Sequence, residues 1–204
     1  MNFRLLAALF SAFLVFGVSA SEPTDLSIVK EIYRSSQNLP DEHAFRLFLG
    51  MLFPDNDPSM HDPDRHIARA IGAEQETETG AARIDHFYDW FDAAQVQIER
   101  QSAAATIEKL CSGNWQEWTF DEVVDGVDAA GAAKNQIYKE HYQMTLEMLT
   151  ENERSAFLTF MERIKSGTAM TVYDTEAFYE HYPEQDIHRY QALACEDAQL
   201  AVLE

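Results

Sequence analysis

An acidic loop that contains two histidines holds the side chains best suited to binding a metal ion. Its six oxygen and imidazole donors fall within twelve residues: Asp55, Asp57, His61, Asp62, Asp64 and His66. Hard cations prefer such oxygens, and Asp55, Asp57 and Ser59 stand at alternate positions, as at the start of a calcium-binding loop. However, Met60 stands where that loop needs glycine, and His66 stands where it needs a bidentate glutamate. The alternative interpretation is that these residues form turns and cap the following helix.

A second set of polar side chains is expected at one level of two long helices. His86 and Asp89 share a helix face at three-residue spacing, and Glu140 and His141 should lie opposite them. Such a group suits a small polar ligand, or acid–base catalysis, in a cleft beside the two helices. The alternative is that these side chains are solvated or that each makes one satisfied hydrogen bond in the core.

Motifs that identify familiar enzymes are absent from the sequence. No histidine follows a glutamate by three residues, as di-iron helical bundles require, and neither H-E-x-x-H nor C-x-x-C-H occurs. The G-x-S-x-G elbow and the glycine-rich nucleotide-binding loops are also absent. We therefore assign no catalytic, cofactor-binding or metal-binding residue, and the sequence favours a protein that is not an enzyme.

The chain has two cysteines, Cys111 and Cys195, and we predict that they form a disulfide. Oxidising conditions outside the cytoplasm favour this pairing. It would close a loop of 84 residues, for which chain entropy gives a stabilisation of about 4 to 5 kcal/mol. The alternative is two buried free thiols.

Aromatic side chains are dense near the carboxyl terminus, at Tyr173, Phe178, Tyr179, His181 and Tyr182. Amphipathic aromatics are enriched at binding surfaces, so this segment is a candidate contact region. The alternative is that these rings cover one end of the helical bundle.

The first twenty residues have the composition of a secretory signal peptide. Arg4 precedes an apolar run over 5–18, and small residues lead to a predicted cleavage after Ala20. The run is shorter than the roughly 20 residues that a membrane-spanning helix needs. We therefore predict a periplasmic or secreted mature chain without a transmembrane segment, in which residues 21–204 form a single domain. An uncleaved anchor is the alternative.

Acidic side chains outnumber basic ones by 35 to 15, which gives a formal net charge of −20 at pH 7. Loss of Arg4 with the signal peptide would leave 14 basic side chains and a net charge of −21. Nucleic acid and anionic membrane surfaces would be repelled, so neither is an expected partner. The charge leaves three interpretations open: a solvated surface suited to salt, attraction to a basic partner, or binding of divalent cations.

Hydrophobic spacing is helical along nearly the whole chain, so the predicted fold class is all-α. Two long helices, over about 80–110 and 119–149, are joined by a short break and should form an antiparallel hairpin. Residues whose numbers sum to about 232 should then lie side by side. We predict a single-domain bundle of about six helices built around this hairpin.

Shorter helices complete the predicted bundle, over about 24–38, 40–53, 64–71, 150–167, 174–182 and 183–200. Thr150 and Glu153 form a capping-box pattern, and Thr79 is the expected cap of the first long helix. Gly126 and Gly131 interrupt the second long helix and predict a close approach of its backbone to a neighbour rather than a kink.

Three functional hypotheses follow from these features. The first is an exported, non-enzymatic binding or protein-interaction module whose partner is another protein of the cell envelope. The second is an unrecognised enzyme or small-ligand carrier that uses the polar cleft beside the hairpin. The third is a divalent-cation-binding protein that uses the loop from Asp55 to His66.

Overall fold

The computed structural model describes residues 29–33, 39–53, 62–167, 170–173 and 184–203. Within these ranges lie six α-helices: α1 Asp41–Leu52, α2 Pro63–Ile71, α3 Glu78–Leu110, α4 Phe120–Met148, α5 Glu151–Gly167 and α6 Glu184–Leu203. A short 3₁₀ helix, Trp115–Glu117, lies between α3 and α4. The predicted all-α class is therefore confirmed. In this described part, no helix is long and apolar enough to cross a membrane.

The helix predicted over 24–38 is wrong where the structure describes it. Val29–Tyr33 is a strand, β1, and it pairs antiparallel with a second strand, β2, at Met170–Tyr173. Val29 lies opposite Tyr173, and Tyr33 lies opposite Met170. Five residues of apolar spacing do not separate helix from strand, and the partner that satisfies the backbone of β1 lies far along the chain. The rest of that predicted helix lies outside the described residues.

Two compact units divide the chain. The aromatic unit consists of the described residues of Arg34–Ile98 and Asn135–Thr168. The disulfide unit consists of Glu99–Lys134 and the described residues of Met1–Tyr33 and Ala169–Glu204. The formation of one domain by residues 21–204 stays a prediction.

Phenylalanine rings fill the core of the aromatic unit. The Phe48 ring, on α1, packs edge-on against Phe91 of α3 at 5.1 Å between centroids, and against Phe157 and Phe160 of α5, each at 5.7 Å. Edge-to-face pairs of this kind add stabilisation beyond that of the buried area. They fix α1 between α3 and α5.

The hairpin of α3 and α4 is antiparallel, as predicted. In the aromatic unit, the Arg83 guanidinium donates to the Met148 carbonyl at 3.4 Å, and Trp90 Nε1 donates to Thr145 Oγ1 at 3.1 Å. The pairs 83–148 and 90–145 agree with the predicted register to within three residues.

Helix boundaries follow local capping chemistry. The predicted capping box at α5 is confirmed, because the Glu153 carboxylate accepts from both the Thr150 N–H and its hydroxyl, each at 2.9 Å. The predicted cap of α3 is wrong, since α3 begins at Glu78 and the hydroxyl that accepts from the Gly80 N–H belongs to Thr77. Thr79 lies inside the helix.

A small core holds the disulfide unit together, formed by Leu110, Val123, Ile187, Ala194 and Cys195. The two cysteines predicted to pair lie at disulfide-bonding distance, with their Sγ atoms 2.12 Å apart and their Cα atoms 5.7 Å apart. Close approach at Gly126 is also confirmed, because a Cβ there would lie 3.0 Å from the Lys109 carbonyl oxygen. The end of α3 is therefore tied to both α4 and α6.

Candidate functional site

The polar residues predicted to form a pocket on the hairpin do not share one environment. His86, Asp89 and Glu140 are exposed, whereas His141 is 1% exposed. The Glu140 carboxylate accepts a hydrogen bond from Gln136 of the same helix at 2.8 Å. Three solvated side chains and one core histidine do not enclose a ligand.

His141 has the properties of a core residue. Burial lowers the pKa of its imidazole, and the nearby Glu140 carboxylate only partly opposes this effect. A neutral ring is therefore favoured at physiological pH. Its carbonyl accepts from the Thr145 hydroxyl at 2.8 Å, which places Thr145 for its bond with Trp90. The Trp90 and Thr145 side chains are thus bonded within the chain rather than presented to a ligand.

Most of the predicted cation loop lies outside the described residues, including Asp55, Asp57 and His61. At its described end, Asp62 is the amino-terminal cap of α2, and its carboxylate accepts from the Arg65 N–H at 3.0 Å. No group of three or more histidine, cysteine, aspartate or glutamate side chains in the described ranges could hold a metal ion. The described part of the loop therefore has the capping role that the alternative interpretation gave it.

The carboxy-terminal aromatic segment is also largely outside the structure's described ranges. Phe178, Tyr179, His181 and Tyr182 fall between β2 and α6, where no residue is described. The backbone of Tyr173 ends β2. The contact role predicted for this segment stays a prediction.

A buried amine joins α5 to the start of α1. Lys165 is 8% exposed, and its Nζ forms ion pairs with the carboxylates of Asp41 and, at 2.8 Å, Glu162. Burial lowers the pKa of this amine, but the two carboxylates together raise the pKa by more than burial lowers it, so the net shift is upward. The pKa of the adjacent Tyr142 rises to about 12 through burial, with a smaller contribution from Asp41. A protonated lysine and a protonated tyrosine are not nucleophiles, so this cluster is structural.

An open groove lies between α2 and α5, with a volume of about 330 Å³. Gly72 ends α2 in a left-handed conformation with φ of 69°, and this glycine lets the helix end lie close to α5. A Cβ at Gly72 would lie 3.1 Å from the Ala156 methyl. The close contact between Gly72 and Ala156 brings the two helices together at the groove.

One face of α5 supplies most of the groove. Asn152, Ser155, Thr159 and Arg163 line it at spacings of three and four residues, which places them in one row along the helix. All four are exposed. The half-buried Phe160 forms part of the lining, and its ring is fixed from beneath by Phe48. A rigid apolar base thus lies below a polar rim.

Two arginines face the groove, Arg69 from α2 and Arg163 from α5, and none of its described lining residues is an aspartate or glutamate. Neither guanidinium forms an ion pair with another described residue. Two of the acidic side chains of α5 are engaged elsewhere, Glu153 with Arg83 and Glu162 with Lys165. The groove is therefore cationic on a strongly acidic chain.

The groove has no signature in the sequence. The row from Asn152 to Arg163 is visible in the sequence as a polar stripe of α5, but such a stripe is ordinarily a solvated helix face. The position of Arg69 relative to it depends on the packing of α2, about 90 residues earlier in the chain. No local signal links the two arginines.

Known proteins offer no guide to this groove. The chain matches no protein-family model, and no curated protein or solved structure is significantly similar to it. Its function must therefore be argued from its own residues.

Proposed function

We propose that this protein is an exported, non-enzymatic interaction module that binds a carboxylate-bearing segment of a protein partner in the groove between α2 and α5. The observation that carries the proposal is a groove in which two arginines form no ion pair with a described residue and no described acidic side chain belongs to the lining, on a chain of net charge −20. The amide and hydroxyl groups along α5 add neutral donors beside them.

Guanidinium groups favour carboxylates over other partners in such a setting. Each presents a planar fork of N–H donors that matches the two oxygens of a carboxylate. Arg69 and Arg163 approach from opposite walls of the groove, so one acidic side chain, or two adjacent ones, can be held between them. Asn152 and Ser155 can then donate to the partner's backbone.

The strength of these contacts favours a protein over a small ligand. An exposed ion pair contributes about 0.2 to 1 kcal/mol, whereas even a Kd of 1 mM requires about 4 kcal/mol. Two exposed arginines therefore cannot hold a small anion by themselves. A protein that also covers the surface around the groove gains the missing energy from additional buried area.

Long-range charge narrows the class of partner further. The net charge of −20 attracts basic proteins and repels acidic ones. At physiological salt this field decays within about 8 Å, so the local arginines control the final contact. The proposed partner is thus basic overall and carries an acidic residue at its point of insertion.

Export is part of the same proposal. A Cys111–Cys195 pair at bonding distance suits an oxidising compartment, and the apolar segment before Ala20 suits a cleaved signal peptide. We expect protein recovered from the exported fraction to begin at Ser21. Intact mass measurement tests this, and a chain that retains residues 1–20 would contradict it.

Docking can be tested by NMR titration of the mature protein with a defined probe, a basic peptide that contains a central Glu-Glu pair. We expect shifts of amide signals over 152–163, and their loss in the double variant Arg69→Glu with Arg163→Glu. A matched peptide with Gln-Gln in place of Glu-Glu should bind more weakly.

The control variant is Arg189→Glu, which reverses the charge of an exposed arginine on α6, outside the groove. It should leave the shifts over 152–163 unchanged. Equal binding of the two peptides, or equal binding by the double variant and the control, would show that the groove arginines do not recognise a carboxylate. That result would refute the docking proposal.

A further inference from the structure

The two cysteines of the disulfide differ in their exposure to solvent. Cys195 is 1% exposed, and its Sγ lies 3.8 Å from the Leu110 carbonyl oxygen, inside the small core of the disulfide unit. Cys111 is half-buried and directly follows the last residue of α3. One half of the bond thus lies within the core and the other at its edge.

The chain beyond Cys111 leaves its surroundings open. Ser112, Gly113 and Asn114 are all exposed, and Gly113 has φ of 59°. A Cβ built on Gly113 would meet no atom within 4 Å, so free space borders this turn. On the other side, Gln191 is fully buried and donates from Nε2 to the same Leu110 carbonyl at 3.0 Å. Cys195 on α6 is therefore buried, whereas Cys111 lies next to an exposed turn.

We infer that Cys111 is the exchange site of this disulfide, the sulfur at which an external thiol forms a mixed disulfide with the protein. Which sulfur is attacked in thiol–disulfide exchange depends on access. The partner is a thiol, supplied either by a small molecule or by a thiol–disulfide oxidoreductase. This inference is independent of the proposed groove.

The exchange takes place in two steps. An external thiolate attacks Cys111 Sγ, a bond to that sulfur forms, and the Cys111–Cys195 bond breaks. Cys195 leaves as a thiolate and takes a proton from water, after which its S–H can donate to the Leu110 carbonyl. A second external thiolate then attacks the external sulfur of the mixed disulfide, the bond between that sulfur and Cys111 breaks, and Cys111 leaves as a thiolate that takes a proton from water. The external thiols are oxidised to their own disulfide, and the protein disulfide is reduced by two electrons.

Limited reduction of the intact oxidised protein tests this site. The folded protein is treated briefly with substoichiometric reduced glutathione, quenched with acid and N-ethylmaleimide, and digested with trypsin. Cleavage after Lys109 and Arg189 separates the two cysteines into peptides 110–134 and 190–204. We expect the glutathione adduct on Cys111 to exceed that on Cys195 at least tenfold.

The same chain unfolded in urea is the internal control, and there the two adducts should agree within about twofold. An excess on Cys195, equal adducts in the folded protein, or no adduct in the folded protein at all would overturn the inference. Single variants give a second measurement with oxidised glutathione. Cys195→Ala should be modified rapidly at Cys111, whereas Cys111→Ala should be modified slowly.

A further experiment distinguishes a small-molecule thiol from a protein thiol. A thioredoxin-type oxidoreductase that lacks its resolving cysteine is offered to the oxidised protein. A trapped covalent complex through Cys111 shows that a protein can reach the sulfur. A glutathione adduct on Cys111 without a trapped complex assigns the site to small thiols. A complex through Cys195 would contradict the inference.

Discussion

The two units of this chain are stabilised by different means. Of the twelve largest fully buried side chains among the described residues, eleven lie in the aromatic unit and one, Leu110, lies in the disulfide unit. The aromatic unit has edge-on phenylalanine contacts and the ion pairs of Arg83 and Lys165. Among its described residues, the disulfide unit has a core of five buried residues and the Cys111–Cys195 bond.

This difference shows how a covalent bond can replace buried area. A small core rarely supplies enough stabilisation alone, and disulfides commonly compensate in exported proteins. The two proposed sites also fall in different units. The arginine groove belongs to the aromatic unit, and the exchange site belongs to the disulfide unit. A binding groove benefits from rigid helices, whereas a disulfide that undergoes exchange needs an accessible sulfur.

The largest effect is expected when the disulfide is removed. Replacement of Cys111 and Cys195 by alanine should lower the free energy of unfolding by about 4 kcal/mol, since the bond closes an 84-residue loop. Hydrogen exchange should also show which helices open first. We expect α6 amides to lose more protection than those of α1, because the described contacts that then hold α6 are those with the small core and the Gln191 bond to the Leu110 carbonyl.

Reduction of the wild-type disulfide is the matched control, since it breaks the same bond without altering any other atom. It should reproduce the loss of protection in α6. If α1 and α5 instead lost as much protection as α6, the bond would support both units equally and the comparison between them would fail.

A smaller effect is expected at Glu153, which belongs to the aromatic unit. Its carboxylate accepts two hydrogen bonds from Arg83, at 2.7 and 2.8 Å, as well as those from Thr150. The Arg83 bond is the main reason that the pKa of Glu153 falls to about 2, against an opposing effect of burial. Glu153→Gln should cost about 2 kcal/mol, after allowance for the partial exposure of the pair.

The pH dependence of this contribution has a definite sign. Because the folded pKa of Glu153 is lower than its usual 4.5, the contribution is fully present above that value. It is lost as the pH falls from about 4.5 towards 2, where the unfolded chain is protonated first. The free energy of unfolding, measured in urea, should therefore fall less between pH 7 and pH 3 in Glu153→Gln than in wild type.

Glu122 of the disulfide unit provides a matched control. It forms the same capping box with Thr119 at the start of α4, and bonds from the Thr119 N–H and hydroxyl lower its pKa. No arginine is bonded to it in the described structure. Glu122→Gln should lose less stability than Glu153→Gln, and equal losses would show that Arg83 adds nothing to the capping box.

Sequence patterns predicted the features that depend on neighbouring residues. The hairpin, its register and the capping box of Thr150 and Glu153 follow from spacings of three and four within a single helix or across a short connection. The predicted cap of α3, Thr79, differs from the observed one, Thr77, by two residues. Both are threonines with the same hydroxyl, and which of them caps the helix depends on where the chain turns. Local chemistry left that alternative open.

Features that depend on distant residues could not be predicted in this way. β1 needs Met170–Tyr173 to complete its hydrogen bonds, and the groove needs Arg69 to meet Arg163. The cysteines are the exception, because they are the only two in the chain and the pairing has one solution. For the polar residues of the hairpin, spacing predicted their level along the helices but not their burial. His141 is buried, whereas the adjacent Glu140 faces solvent.

Two glycines, one in each unit, should respond to alanine with opposite signs. At Gly126 of the disulfide unit, a Cβ would lie 2.8 Å from the Trp118 ring and 3.0 Å from the Lys109 carbonyl oxygen. The ring can shift, but the carbonyl belongs to the backbone at the end of α3. We expect Gly126→Ala to cost about 1 to 2 kcal/mol, in spite of the gain in helix propensity.

At Gly50 of the aromatic unit, a Cβ would meet no atom within 4 Å. Gly50→Ala should therefore stabilise the protein by about 0.5 kcal/mol, because alanine loses less backbone entropy in a helix. Thermal unfolding of both variants measures the two signs side by side. If Gly126→Ala were also stabilising, α4 would have room to move away from the end of α3, and the disulfide rather than close helix packing would hold that end in place.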